Sequence, residues 1–187
     1  MQQITLRNIM LASIFTAITA ILAQIEIPLP LVPISGQTLA VGITATIIGS
    51  KLGATAMIGY AMIGAIGIPV FAGFRGGLQV IVGPTGGYII GFIFAAYVTG
   101  KILELTKFNL RMAIIANIVG MFITLLFGMT QLKFIVDLTW SEALASGVYP
   151  FLIVGFIKAF LASWIGIVVR QRLVHAKLLK QSKTVTP

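Results

Sequence analysis

Apolar residues in this chain gather into runs separated by short stretches where Gly, Pro, Lys and Arg collect. The runs predict helices at 8–25, 38–50, 53–68, 85–103, 112–130 and 149–172. The second and third are short against the ~20 residues that a straight membrane span needs. They form either one long broken unit or two helices that stop short of a surface. Gly49-Ser-Lys-Leu-Gly53 punctuates them, so a tight turn between two short helices is expected.

Two of the stretches between runs are not ordinary connectors. Glu26 to Gln37 carries prolines at 28, 30 and 33, which fix φ and favour an extended, polyproline-like path. The residues between them are Leu, Leu and Val, so the segment is expected to pack over the bundle as a lid. Gly67 to Tyr88 holds seven of the 20 glycines, two of the seven prolines and a single charge, Arg75. Irregular backbone is tolerated at membrane depth where protein buries it or where it lines a cavity. The segment is therefore expected to wall a ligand site, with Arg75 recognising an anion and glycines such as Gly76 allowing close approach.

Composition places these runs in a membrane. Only 9% of residues are charged, against roughly 25% in a soluble domain. The fold class expected is an all-α membrane protein: a compact bundle of six transmembrane helices with irregular outer loops, one domain over 1–187 with a basic tail from 173. Arg7 followed by the apolar run Ile9–Ile25 has a thin resemblance to a signal peptide, but lacks a clean cleavage pattern and is read as a true span. Six spans put both termini on one side. Ten Lys and Arg fall on that side, Arg7 through Lys180 and Lys183; Arg75 and Lys133 fall on the other, and Lys158 lies inside a span. The excess of positive charge marks the cytoplasmic side, so both termini are expected there and the elaborate loops outside, in the cell membrane. The net charge of +9 forms no stripe with interleaved aromatics, which argues against nucleic acid. The tail fits a solvated, orientation-fixing segment that touches anionic lipid.

Several chemistries lack their residues. Cysteine is absent, which excludes disulfides and thiolate metal sites. No G-x-x-x-x-G-K-[ST] loop is present. The one histidine, His175, lies in the basic tail, leaving no Ser-His-Asp set and no His metal site. The four acids are Glu26, Glu104, Asp137 and Glu142, and none lies mid-span, where a coupled carrier usually needs a carboxylate. No enzyme and no cofactor is expected.

What remains is binding. Lys158 sits in a run from Phe151 to Val169 with no other charge; at mid-helix a lysine costs ~2.5–3.5 kcal/mol and usually faces a cavity or partner. Gln37 and Thr38 open the second helix, as ligand contacts or simply as helix starters. Gly83-Pro-Thr-Gly-Gly-Tyr88 precedes the fourth, where Pro and Thr suit a helix start and free amides favour an anion. There Gly86 and Gly87 are read as points of ligand approach and Gly91 as helix packing. Tyr88 offers a ring and a polar tip, equally at home in an interface belt. In the first helix Ser13 and Ala17, with Thr16 and Ala20, make rows that allow close approach by another helix, inside the bundle or outside it.

Three blocks, Val32-Pro-Ile-Ser-Gly-Gln-Thr-Leu39, Gly64-Ala-Ile-Gly-Ile-Pro-Val-Phe-Ala-Gly73 and Gly83-Pro-Thr-Gly-Gly-Tyr-Ile-Ile-Gly-Phe92, occur in order. They resemble the signature blocks of the BioY family, the biotin-binding S components of energy-coupling factor transporters. The resemblance spans essentially the whole chain. It implies biotin capture from outside, association with a transmembrane T component and two cytoplasmic ATPases, and toppling of the S component in the membrane during import. The family's Ala-x-x-x-Ala docking motif falls on Ser13-Ile-Phe-Thr-Ala17, with a serine in first place. Its last-helix signature, Pro-Phe-Leu-Pro-Gly-Asp-x-x-Lys, is here Pro150-Phe-Leu-Ile-Val-Gly-Phe-Ile-Lys158. The lysine is kept, for the ureido carbonyl of biotin, but Gly155 replaces the aspartate that accepts from the ring N–H groups. Gln37 or a backbone carbonyl would have to accept in its place. Arg75 stands where a small polar residue is common and would pair with the valerate carboxylate. An S component for another small vitamin, an autonomous carrier, a membrane enzyme and a non-transport structural subunit are the rival readings.

Overall fold

A computed structural model describes residues 6–179 of the chain, which leaves Lys180, Lys183 and the end of the expected tail outside the described residues. The elements run α1 (Leu6–Ala23), β1 (Glu26–Ile27), β2 (Ile34–Ser35), α2 (Gln37–Ala65), a 3-10 turn (Ala72–Phe74), α3 (Leu78–Ile81), α4 (Gly86–Leu105), α5 (Leu110–Val136), α6 (Trp140–Gly147) and α7 (Tyr149–His175).

The helix assigned to α2 is a hairpin. At Gly49 the backbone leaves helical space, with φ 81° and ψ −171°, a region open essentially to glycine. The chain then doubles back. Gln37 Nε2 donates to the Tyr60 hydroxyl at 2.6 Å, although 23 residues of straight helix would separate the two by ~34 Å. Residues 37–48 and 50–65 are thus two short antiparallel arms, as the punctuation at Gly49 predicts. Among the described residues, five elements are long and apolar enough to cross a membrane when α2 is counted once; its reversal divides that one into two shorter apolar arms, six in all. Lipid-facing surface follows from the exposed apolar side chains on several helices, among them Ile14, Phe122, Leu126, Phe160 and Trp164.

The reversal is held at one end of the bundle. Glu104, near the end of α4, accepts from the Ser50 backbone N–H and hydroxyl, both at 2.7 Å. Arg170 of α7 donates to the Ile47 carbonyl, and its guanidinium lies 3.6 Å from the centroid of the Phe108 ring. A side chain at Gly100 would run into the backbone of Gly49 and Ser50, so α4 passes close against the turn. The described chain ends and the 106–109 connector share this side. Both irregular connectors and α6 lie at the opposite end.

There the structure departs from the sequence expectation in two places. The 26–37 connector is not simply polyproline-like: β1 and β2 pair antiparallel, Glu26 with Ser35 and Ile27 with Ile34, and the three prolines, which lack an N–H, fall between those ladder pairs. The 131–148 stretch is not a loop either. α5 continues to Val136, and α6 follows, opened by a capping box in which Thr139 and Glu142 satisfy each other's backbone N–H groups.

Candidate functional site

A cavity opens at the connector end and reaches into the bundle. The first arm of α2, α4, α5 and α7 form its walls, and the two connectors cover it. Aromatic and aliphatic side chains dominate: Val41, Ile89, Phe92, Leu125 and Phe151. Arg75 and Lys158 supply positive charge to the lining, which includes no Asp or Glu. This is an apolar slot for an uncharged or anionic guest, with few polar groups to orient it.

A relay of hydrogen bonds joins the two covers. Ser35 Oγ donates to Gln37 Oε1 at 2.7 Å, Gln37 Nε2 to the Tyr60 hydroxyl, and that hydroxyl to the Val70 carbonyl at 2.9 Å. Gln24 adds Nε2 bonds to the Val70 and Phe71 carbonyls and accepts from the Phe74 N–H. Phe71 is buried edge-on to Tyr60, with its ring where any side chain at Gly64 would have to go. Gly67, Gly73, Gly77 and Phe74 take positive φ, so the connector bends sharply four times.

Lys158 reaches up from α7. Its Nζ donates to the Ser35 carbonyl at 2.7 Å and lies 3.3 Å from Thr38 Oγ1. An ammonium has three hydrogens, so one is left for a guest. Arg75 stands exposed at the mouth, its Nε donating to the Ala72 carbonyl at 2.9 Å, and among the described residues no group accepts from its terminal nitrogens.

Of the residues singled out from sequence, Gln37, Thr38, Arg75, Tyr88 and Lys158 meet in this lining. Both ends of the Gln37 amide are occupied within the protein. Tyr88 gives its hydroxyl to the Gly147 carbonyl at 2.7 Å, so a guest meets the ring and not the polar tip. Gly76, Gly86 and Gly87 lie outside the lining. A side chain at Gly76 would strike the Gly67 and Ile68 carbonyls; at Gly86, the Ile81 carbonyl; at Gly87, the Phe127 carbonyl and Gln131 on α5. Their close approaches are to protein, as at Gly91, which packs on Thr124 and Phe127. Thr85 precedes α4 without capping it through its side chain, and lines the cavity instead. Ser13 and Ala17 are exposed on the outer face of α1, away from the cavity.

Gly155 also lines the cavity, and a Cβ there would press on Met121 Sδ from α5. The thioether occupies the space a longer residue at 155 would need. The floor was not anticipated from sequence: Asn117, Thr99, Gly42 and Ala162 line it. A search for buried charge passes over Asn117, although a mid-span asparagine is itself a costly polar group.

The model of the BioY family matches residues 1–175. Among curated proteins, a protein named biotin transporter BioY2 of Lactococcus lactis subsp. cremoris is 38% identical over 175 residues, 94% of this chain and 96% of its own length. One named biotin transporter BioY of Thermotoga maritima is 38% identical over 162 residues, 87% and 95% of the two chains. A 2.1 Å crystal structure of the S-component for biotin from an ECF-type ABC transporter superposes with a TM-score of 0.82 at 25% identity, covering 91% of this chain and 94% of that one.

Proposed function

The chain belongs to the BioY family, and from that premise we propose that it is a multi-pass membrane S component that captures biotin for ATP-driven uptake. It carries out no chemistry itself. The observation that supports this reading most directly is the cavity: apolar walls, one cation at the mouth, a second deeper on α7, and no acid in the lining. Biotin is a fused bicycle bearing a neutral ureido group and an apolar chain that ends in a carboxylate. The bicycle lies among Phe92, Leu125 and Phe151, Lys158 gives its third hydrogen to the ureido oxygen, and the carboxylate meets the Arg75 guanidinium.

The same reading sets orientation and partners. With most Lys and Arg on the Gly49 side, that side is cytoplasmic and the cavity opens outward. The exposed Ser13 and Ala17 offer a shallow seam on α1 against which a T component packs, with two ATPases supplying the energy. Biotin binding to the purified protein tests the proposal: saturable binding is expected, and its absence at micromolar biotin sinks it. A second reading, an S component for another small vitamin, draws on Gly155 and the Met121 sulfur beside it. Competition among biotin, thiamine and riboflavin separates the two.

A further inference from the structure

We propose that Asn117 Oδ1, at the cavity floor, takes over the ring N–H acceptor role that α7 lacks at Gly155, so that a neutral amide on α5 reads the ureido ring. This rests on the biotin reading of the site.

Asn117 is only 5% exposed, and its amide orientation is fixed from three sides. Nδ2 lies 3.0 Å from the Ala113 carbonyl, 3.0 Å from Thr46 Oγ1 and 3.0 Å from Ser163 Oγ. The Ala113 carbonyl can only accept. Ser163 Oγ–H is already directed to the Ala159 carbonyl at 2.6 Å, so that hydroxyl also meets the amide as an acceptor. The nitrogen must therefore sit on this side, and Oδ1 faces the other way, toward Gly42 and the cavity. No described group donates to it. A side chain at Gly42 would cover it, and glycine leaves it open.

The spacing suits a urea. Lys158 Nζ sits at the level of Thr38, and Oδ1 at the level of Gly42, four residues on along the first arm of α2. Four helical residues rise roughly 6 Å. A cyclic urea carries its carbonyl oxygen at one apex of the ring and directs its two N–H bonds outward to the flanks on either side of that apex, so a cation on the oxygen and an acceptor beside the ring engage both at once. An acid at 155 would compete with Met121 Sδ for space, whereas Asn117 is already held in place by the protein without a guest.

The test compares biotin with its ring-N-methylated analogue on wild type and Asn117→Ala. Asn117→Ala should weaken biotin about tenfold or more, the loss when a buried hydrogen-bond partner is removed, and weaken the analogue less than twofold. Equal losses for both ligands overturn the inference. Because Asn117→Ala also strips bonds from Thr46 and Ser163, a second measurement uses wild type alone, labelled with 13C at the side-chain carbonyls of its three asparagines, Asn8, Asn109 and Asn117. Biotin should shift one carbonyl signal that the methylated analogue leaves in place; no ligand-dependent difference overturns the inference. Wild type that binds no biotin overturns the biotin reading and this inference together, whereas wild type that binds biotin with equal losses overturns the inference alone.

Discussion

Replacing Lys158 with methionine separates a structural lysine from a ligand-binding one, because the two roles change stability and affinity differently. In the free protein the ammonium makes a 2.7 Å bond to the Ser35 carbonyl and a longer contact to Thr38. A hydrogen bond to a charged group contributes about 1.5–3 kcal/mol. Against that stands the ~2.5–3.5 kcal/mol cost of placing a lysine at mid-span. The difference runs from a loss of ~0.5 to a gain of ~2 kcal/mol for Lys158→Met, so thermal stability without ligand should hold or rise. Binding has no such offset. Losing one charge-assisted bond to the ureido oxygen should weaken biotin by roughly 10- to 150-fold. Thermal unfolding without ligand and equilibrium biotin binding, on the same lipid-nanodisc sample, read the two quantities. Affinity within twofold of wild type would refute the ligand role. Stability and affinity falling together would show that the lysine acts by holding down the β1–β2 connector.

At the mouth, Arg75→Ala should weaken biotin more than its carboxylate-amidated analogue in the same binding assay; equal losses would reject the carboxylate contact. Gly49→Ala forces a Cβ into glycine-only backbone space and against the Glu104 carboxylate. It should destabilise the protein by about 1–3 kcal/mol in thermal unfolding with little change in affinity of the folded fraction. Ser13→Leu fills the shallow seam on α1: biotin binding should be unchanged, while uptake into vesicles with the T component and ATPases should fall. Full uptake by Ser13→Leu would remove the docking role.

Helix passes and the reversal at Gly49 are legible in the sequence because they rest on local facts, apolar run length and a glycine cluster. The capping box that opens α6 is equally local, in Thr139 and Glu142, but it is eclipsed when the surrounding stretch is read as a loop between spans. The β1–β2 pairing is less legible, because two ladder pairs leave almost no periodicity and the prolines between them dominate the pattern. The glycines divide for a physical reason. A glycine reports that something approaches closely, but not whether the neighbour is a ligand or another backbone. Gly86 and Gly87 are pressed by carbonyls of Ile81 and Phe127, while Gly42 leaves a cavity-facing oxygen open. Only tertiary contacts separate these cases. Charge has the opposite bias: Lys158 and Arg75 stand out in an apolar chain, whereas Asn117 does not, although the floor of the cavity is organised around it. Its significance comes from three acceptors on three helices, Thr46, Ala113 and Ser163, none of which is near the others along the chain. An uncharged group whose donors are consumed on one side necessarily presents its acceptor on the other. Asn117, a polar group of the floor that stands out by neither charge nor motif, is thus one whose direction the fold fixes from three sides.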